Sequence, residues 1–191
     1  IKIFLGLLFL LISVNSYSQL AIEWQNCLGT SDHEEISALD ECADGGFIGA
    51  GYSDYDFYIV KTDSSGNQEW MRTYGGTAND NAHAVLALNE GGFLVGGETQ
   101  SDDVDVTGFH GQTDGWLIKL DDQGNIIWQK CLGGTSYDYI WSMLQLPGGN
   151  YLVAATTSSY NGDLAGLPVG SQSLWLIEID TSGTIVNNTL H

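Results

Sequence analysis

A stretch that returns at a spacing of 58 residues, glycine-punctuated turns at fixed offsets, and the lack of any helical period together predict an all-β chain. The expected fold is a partial β-propeller: three four-stranded antiparallel blades preceded by one orphan strand. The clearest copy is residues 114–134, DGWLIKLDDQGNIIWQKCLGG. Weaker copies stand at 56–76, DFYIVKTDSSGNQEWMRTYGG, and at 173–188, SLWLIEIDTSGTIVNN. Residues 24–29, WQNCLG, are the tail of a fourth copy. Trp70 and Trp128 stand 58 residues apart, as do Trp128 and Val186, whereas Trp24 and Trp70 are 46 apart.

Taken in order, residues 1–18 read as a secretory signal. Lys2 is followed by an apolar run over 3–14, and Ser16 and Ser18 place small residues before a cut at Gln19. That run is short of the ~20 residues a membrane-spanning helix needs. The blade units then fall at about 30–75, 76–133 and 134–191, with 21–27 as the closing strand of another blade.

Within the middle unit four short strands are expected at 82–88, 93–99, 116–121 and 126–132, each rich in β-branched and aromatic residues. The first two are joined by Glu90-Gly91-Gly92, matching Asp44-Gly45-Gly46 and Pro147-Gly148-Gly149 in the flanking units. The last two are joined by a turn with Gly124, matching Gly66 and Gly183. Up-and-down connectivity puts these tight turns on one face. The long connections at 98–115 and 157–173, with the inter-blade links 29–35, 75–81 and 133–139, share the other. Binding residues are expected on that loop-rich face. The first unit departs from the pattern, having only Ser53-Asp54-Tyr55 where the others have a long loop.

Composition narrows the function. Against 24 acidic residues there are 5 basic ones, a formal net charge of −19. Such a surface repels phosphate backbones and anionic membranes, so nucleic acid is excluded as a partner. Once the signal is removed no membrane insertion is expected either. Three cysteines do not make a closed disulfide set. Cys27 and Cys131 share one repeat position and are expected to be buried strand residues, and a Cys27–Cys42 bridge stands open.

A residue that recurs in every unit serves the blade, whereas an exception is a candidate for function. By that test Asp80 and Asp138, with Glu34, accept backbone N–H bonds in the links, and Asp63, Asp121 and Asp180 begin the second tight turn. Trp70, Trp128, Trp116 and Trp175 are expected between neighbouring blades. Two acidic loops read both ways. Asp103 and Asp105, with Asp102 beside them, align with Asn161 and Asp163, and alternate side-chain oxygens suit calcium, yet the same residues make metal-free Asx-turns.

The third unit carries Tyr137, Tyr139 and Trp141 where the others have His33, Glu35, Ser37 or Asn79, Asn81, His83, and Tyr160 stands in its long loop. Aromatic rings beside carboxylates suit sugar recognition. The competing reading is packing on a neighbouring blade, above all for Trp141 on the innermost strand. No paired-histidine metal motif, nucleophile elbow or phosphate loop occurs, so a catalytic role is not expected.

The pattern around Trp70 to Asp80, Glu90 to Phe93, Ser101 to Gly111 and Asp114 to Trp128 resembles the secreted β-propeller-repeat proteins of Bacteroidetes-type bacteria. Over residues 24–191 the resemblance implies a secreted or cell-surface protein, in a group that often carries a C-terminal type IX sorting domain. Three functions are compatible with it. The preferred one is a non-catalytic module presenting its acidic loop face to an extracellular glycan or protein. The others are part of a polysaccharide hydrolase or lyase, and a structural spacer. No cofactor is assigned, calcium being the one candidate, and further blades of the same chain are expected partners beside the glycan or protein.

Overall fold

The computed structural model describes residues 24–29, 33–168 and 171–191. The signal segment and the first part of the 21–27 strand lie outside them. Twelve strands form three separate four-stranded antiparallel sheets, each in simple sequence order. The first holds β1 (Glu34–Glu41), β2 (Phe47–Ser53), β3 (Asp56–Thr62) and β4 (Gln68–Tyr74). The second holds β5 (Asp80–Ala87), β6 (Phe93–Thr99), β7 (Asp114–Leu120) and β8 (Ile126–Leu132). The third holds β9 (Asp138–Gln145), β10 (Tyr151–Thr157), β11 (Ser173–Ile179) and β12 (Ile185–Leu190). The only helical turn among the described residues is a 3-10 turn at Gly162–Leu164. No helix among them is long and apolar enough to cross a membrane.

Turn chemistry sets the registers. In each β1–β2-type hairpin a glycine takes the left-handed backbone, with φ of 79° at Gly45, 93° at Gly91 and 91° at Gly149. In the second tight turn Asp63, Asp121 and Asp180 accept backbone N–H groups two and four residues ahead. Side-chain donors, the Asn67 and Asn125 amides and the Ser182 hydroxyl, are the main cause that favours the charged form, and with the backbone bonds they hold the three carboxyls below the usual range. Between β2 and β3 the chain reverses on Asp54 and Tyr55, whose φ values of 47° and 76° make a hairpin turn without glycine.

The sheets pack face to face through two cores. Phe57 of the first sheet meets Trp116 of the second at 4.6 Å between ring centroids. Leu94 and Leu117 of the second meet Ile140, Val153 and Trp175 of the third. Trp116 and Trp175 are wholly buried, as the repeat predicts. An indole buries on the order of 200 Å², so each contributes about 5 kcal/mol of hydrophobic burial at ~25 cal/mol per Å².

Outer-strand tryptophans lock one sheet to the next. The Trp70 ring meets Phe93 at 5.8 Å, and its Nε1–H donates to the Asp122 carbonyl at 3.1 Å. Trp128 donates to the Thr181 carbonyl at 3.1 Å and covers Gly183. Trp24, although residues 24–29 form no strand, covers Gly66 and meets Phe47 at 5.8 Å. One contact is thus made three times. Trp70 and Trp128 are only partly buried, because their rings lie over turns rather than inside a sheet sandwich.

The cysteines need correction. Cys27 is exposed, not buried, and all three thiols are free, so the Cys27–Cys42 bridge is not formed. Cys131 is buried as expected, and desolvation pushes its thiol up to about 12.

Candidate functional site

The first strands of the sheets, β1, β5 and β9, lie next to one another and carry the variable side chains, and each pairing is interrupted at one place. Register shifts fall between Ile36 and Ala38, between Ala82 and Ala84, and between Ala154 and Ala155 opposite Ile140 and Ser142. Ser37, His83 and Trp141 are therefore the extra residues of three equivalent β-bulges. A bulge bends the strand and re-aims a side chain. In the first two sheets Gly51 and Gly97 sit opposite, where a Cβ would collide with the carbonyls of Glu35 and Asn81.

Two of these bulges bring rings together across the gap between sheets. Trp141 stacks on His83 with centroids 4.7 Å apart and an interplanar angle of 23°, and Tyr139 continues the array at 5.9 Å and 29°. Trp141 remains 51% exposed. Its packing on a neighbouring sheet and its accessibility to a ligand therefore hold together.

Polar groups orient the array. The Trp141 Nε1–H donates to Thr156 Oγ1 at 3.0 Å. His83 Nε2 is hydrogen-bonded to Glu98 Oε2, whose other oxygen accepts from Asn81 Nδ2 at 3.1 Å. Burial and then the nearby Glu98 charge raise the Tyr139 phenol above its usual range, so it remains a hydrogen-bond donor. On the first sheet Tyr52 donates to Glu35 at 3.1 Å and stacks on His33 at 5.8 Å.

Tyr139 and Trp141 are thus brought together. Tyr137 is exposed one row up the same strand end, its carbonyl accepting Ser158 N–H, and Tyr160 stands apart in the β10–β11 loop. His83, Glu98 and Tyr52 were not singled out from sequence. The signal that finds them is positional: His83 occupies Trp141's place, and Glu98 and Tyr52 occupy Thr156's.

The acidic loops act as ties. Asp103 accepts the Thr77 N–H at 2.8 Å and its hydroxyl at 2.9 Å, and Asp105 accepts the Gly75 N–H at 3.3 Å. In the next unit Asn161 accepts the Thr135 N–H at 2.9 Å, and Asp163 the Gly133 N–H at 3.2 Å. Asp102 is exposed beside them. These bonds reach 26 to 30 residues along the chain, so they are not local Asx-turns but ties that pin each long loop to the preceding link. Among the described residues no three His, Cys, Asp or Glu side chains gather as metal ligands.

Beneath these loops lie the recurring aspartates. Asp80, fully buried, accepts from Thr99 Oγ1, from Ser101 Oγ at 2.9 Å and from Gly76 N–H at 2.8 Å. Asp138 repeats the arrangement with Thr157, Ser159 and Gly134. Asp114 differs. Its Oδ2 accepts from the His110 backbone and ring, its Oδ1 is buried without a partner, and desolvation pushes the carboxyl up to about 6.

No protein-family model matches the sequence, and no curated protein matches it either. Among solved structures, a Bacteroides caccae protein of unknown function is similar, with a TM-score of 0.45 and 12% identity over 87% of this chain and 64% of that one. The chain thus spans a little under two thirds of that neighbour's length.

Proposed function

We propose that the three sheets are blades of a secreted β-propeller and that the protein is a non-catalytic module binding an extracellular glycan. Two observations support the propeller reading. Trp24 lies on the first sheet as Trp70 and Trp128 lie on the next two, which is the placement of an outer strand from a preceding blade. Ile36 is 44% exposed where its counterparts Ala82 and Ile140 are fully buried under a neighbouring sheet. That face of the first sheet is built to be covered by one more blade.

One observation carries the binding reading, namely the Tyr139–Trp141–His83 array. It is a run of stacked rings with Trp141 about half exposed, set by bulges on β5 and β9 and bordered by Glu98 and Asn81. Ring faces present C–H-binding surface at low conformational cost, and the flanking amide and carboxylate supply the orientation-fixing polar groups a small-molecule site needs. The test is a glycan array probed with the protein and with Trp141→Ala. Retention of glycans by the native protein and their loss in the variant is the expected result. Identical profiles for the two proteins would remove the platform from the account.

A further inference from the structure

The aromatic array does not end at His83. Besides stacking on Trp141, His83 lines an open cleft of about 400 Å³ together with Glu35, Tyr52, Tyr55, Asn79 and Asn81. That is within the range of small-molecule sites, ~300–1,000 Å³. The short turn of the first sheet contributes Tyr55 to its lining. β6–β7 and β10–β11 are joined by long loops, whereas β2 and β3 are joined by Asp54 and Tyr55 alone.

That turn also places a ring. Tyr55 is 67% exposed at the rim of the cleft, with φ at 76°, and its carbonyl accepts the Asp80 N–H at 2.6 Å, fixing the turn to β5. A non-glycine residue in the left-handed region carries a conformational cost, here at a residue whose side chain faces solvent beside a cavity. Packed sheets stand about 10 Å apart, so a site crossing β1, β5 and β9 is roughly 20 Å long, the length of several sugar units.

Charge sets the second property. Among the described residues the lysines and arginines are Lys61, Arg72, Lys119 and Lys130. Lys61 is buried and paired with Asp44 and Glu69, and Lys119 is buried against Tyr151 and Glu90. Arg72 and Lys130 lie on the outermost strands β4 and β8. No cationic side chain of either kind lines the cleft, while Glu35 does and Glu98 contacts His83 beside it. A polyanion would meet like charge there, most strongly at low salt.

We infer that the platform and the cleft are one continuous site that takes an uncharged oligosaccharide across the three inner strands and rejects chains bearing uronate or sulfate. The inference rests on the glycan-binding reading above. It is tested with the full chain and with Tyr55→Gly, a substitution that removes the ring at a backbone position glycine adopts freely. The probes are gluco-, manno- and xylo-oligosaccharides from monosaccharide to hexasaccharide, and oligogalacturonates of matching length at low salt. Affinity for a neutral series should climb with length, and Tyr55→Gly should weaken the long members by about tenfold while leaving the disaccharide unchanged. Oligogalacturonates should give no signal. Length-independent affinity, binding of oligogalacturonates, or a Tyr55→Gly profile equal to the native one would each overturn the inference alone. Silence toward every sugar would overturn the glycan reading together with it.

Discussion

The Trp141 indole stacks on the His83 imidazole at 4.7 Å, and each residue is the extra member of a β-bulge at the same place in its own sheet. A bulge that recurs in every unit while its side chain changes from Ser37 to His83 to Trp141 separates scaffold from function. The bulge belongs to the repeat, and the side chain belongs to the individual sheet.

Removing that indole should therefore cost little stability. Trp141 is 51% exposed and contributes to neither buried core. Trp141→Ala is expected to lose about 1 kcal/mol or less, against ~3–5 kcal/mol for Trp116→Ala. Urea denaturation of both variants checks the contrast.

The buried aspartates should behave in the opposite way. Asp80→Ala strands the Thr99 and Ser101 hydroxyls and the Gly76 N–H, all of which now donate to one carboxylate. Three unsatisfied donors are expected to cost about 3 kcal/mol or more, read as a drop in urea midpoint with little change in slope. Replacement within error of the native midpoint would show that the network contributes nothing net.

Asp114 gives a pH dependence with a definite sign. Its folded-state carboxyl is raised to about 6 by burial, above the unfolded value of about 3.9. The stability this group contributes is therefore fully present below about pH 4 and lost as pH rises through about 6. Asp114→Asn keeps an acceptor for His110 but carries no charge. The variant should gain on the native protein between those values and hold a constant lead above them, measured by thermal melts across the range. A lead that shrinks as pH rises would contradict the assignment.

Two loop positions test the metal-free ties and the strain beside them. Asn161 does with an amide what Asp103 does with a carboxylate. Asp103→Asn should thus melt within about 1 °C of native, and EDTA should leave the melting temperature where it is; a fall on chelation would restore calcium to these loops. Val104 holds φ at 57° where its counterpart Gly162 has 64°. Relief of ~1–2 kcal/mol of left-handed strain, offset by ~0.5–1 kcal/mol of glycine entropy, leaves Val104→Gly more stable by about 0.5–1 kcal/mol. That gain appears as a rise of about 2 °C in melting temperature.

Much of this molecule was legible in its sequence because the information was local and repeated. Strands 93–99 and 126–132 coincide with β6 and β8, and the other two strands of that unit differ by one or two residues at their ends. The turn aspartates, the link aspartates and the buried Trp116 and Trp175 followed from recurrence alone. What was not legible depends on register and on contacts between sheets. A bulge is visible only once pairing is known, so the re-aiming of His83 and Trp141 toward one another could not be read from either strand. The cleft beside Tyr55 likewise lies between residues of two sheets, which no single stretch of sequence marks. Cys27 was misplaced because its stretch carries the repeat's letters but forms no strand.

The central claim is that the bulge side chains of the inner strands form the binding surface while the recurring tryptophans only hold sheets together. It is tested most directly by following the tryptophan indole N–H signals by NMR during titration with a bound neutral oligosaccharide. The account predicts that the Trp141 signal moves while those of Trp70, Trp116, Trp128 and Trp175 stay in place. A still Trp141 signal with shifts at the outer-strand tryptophans would contradict it.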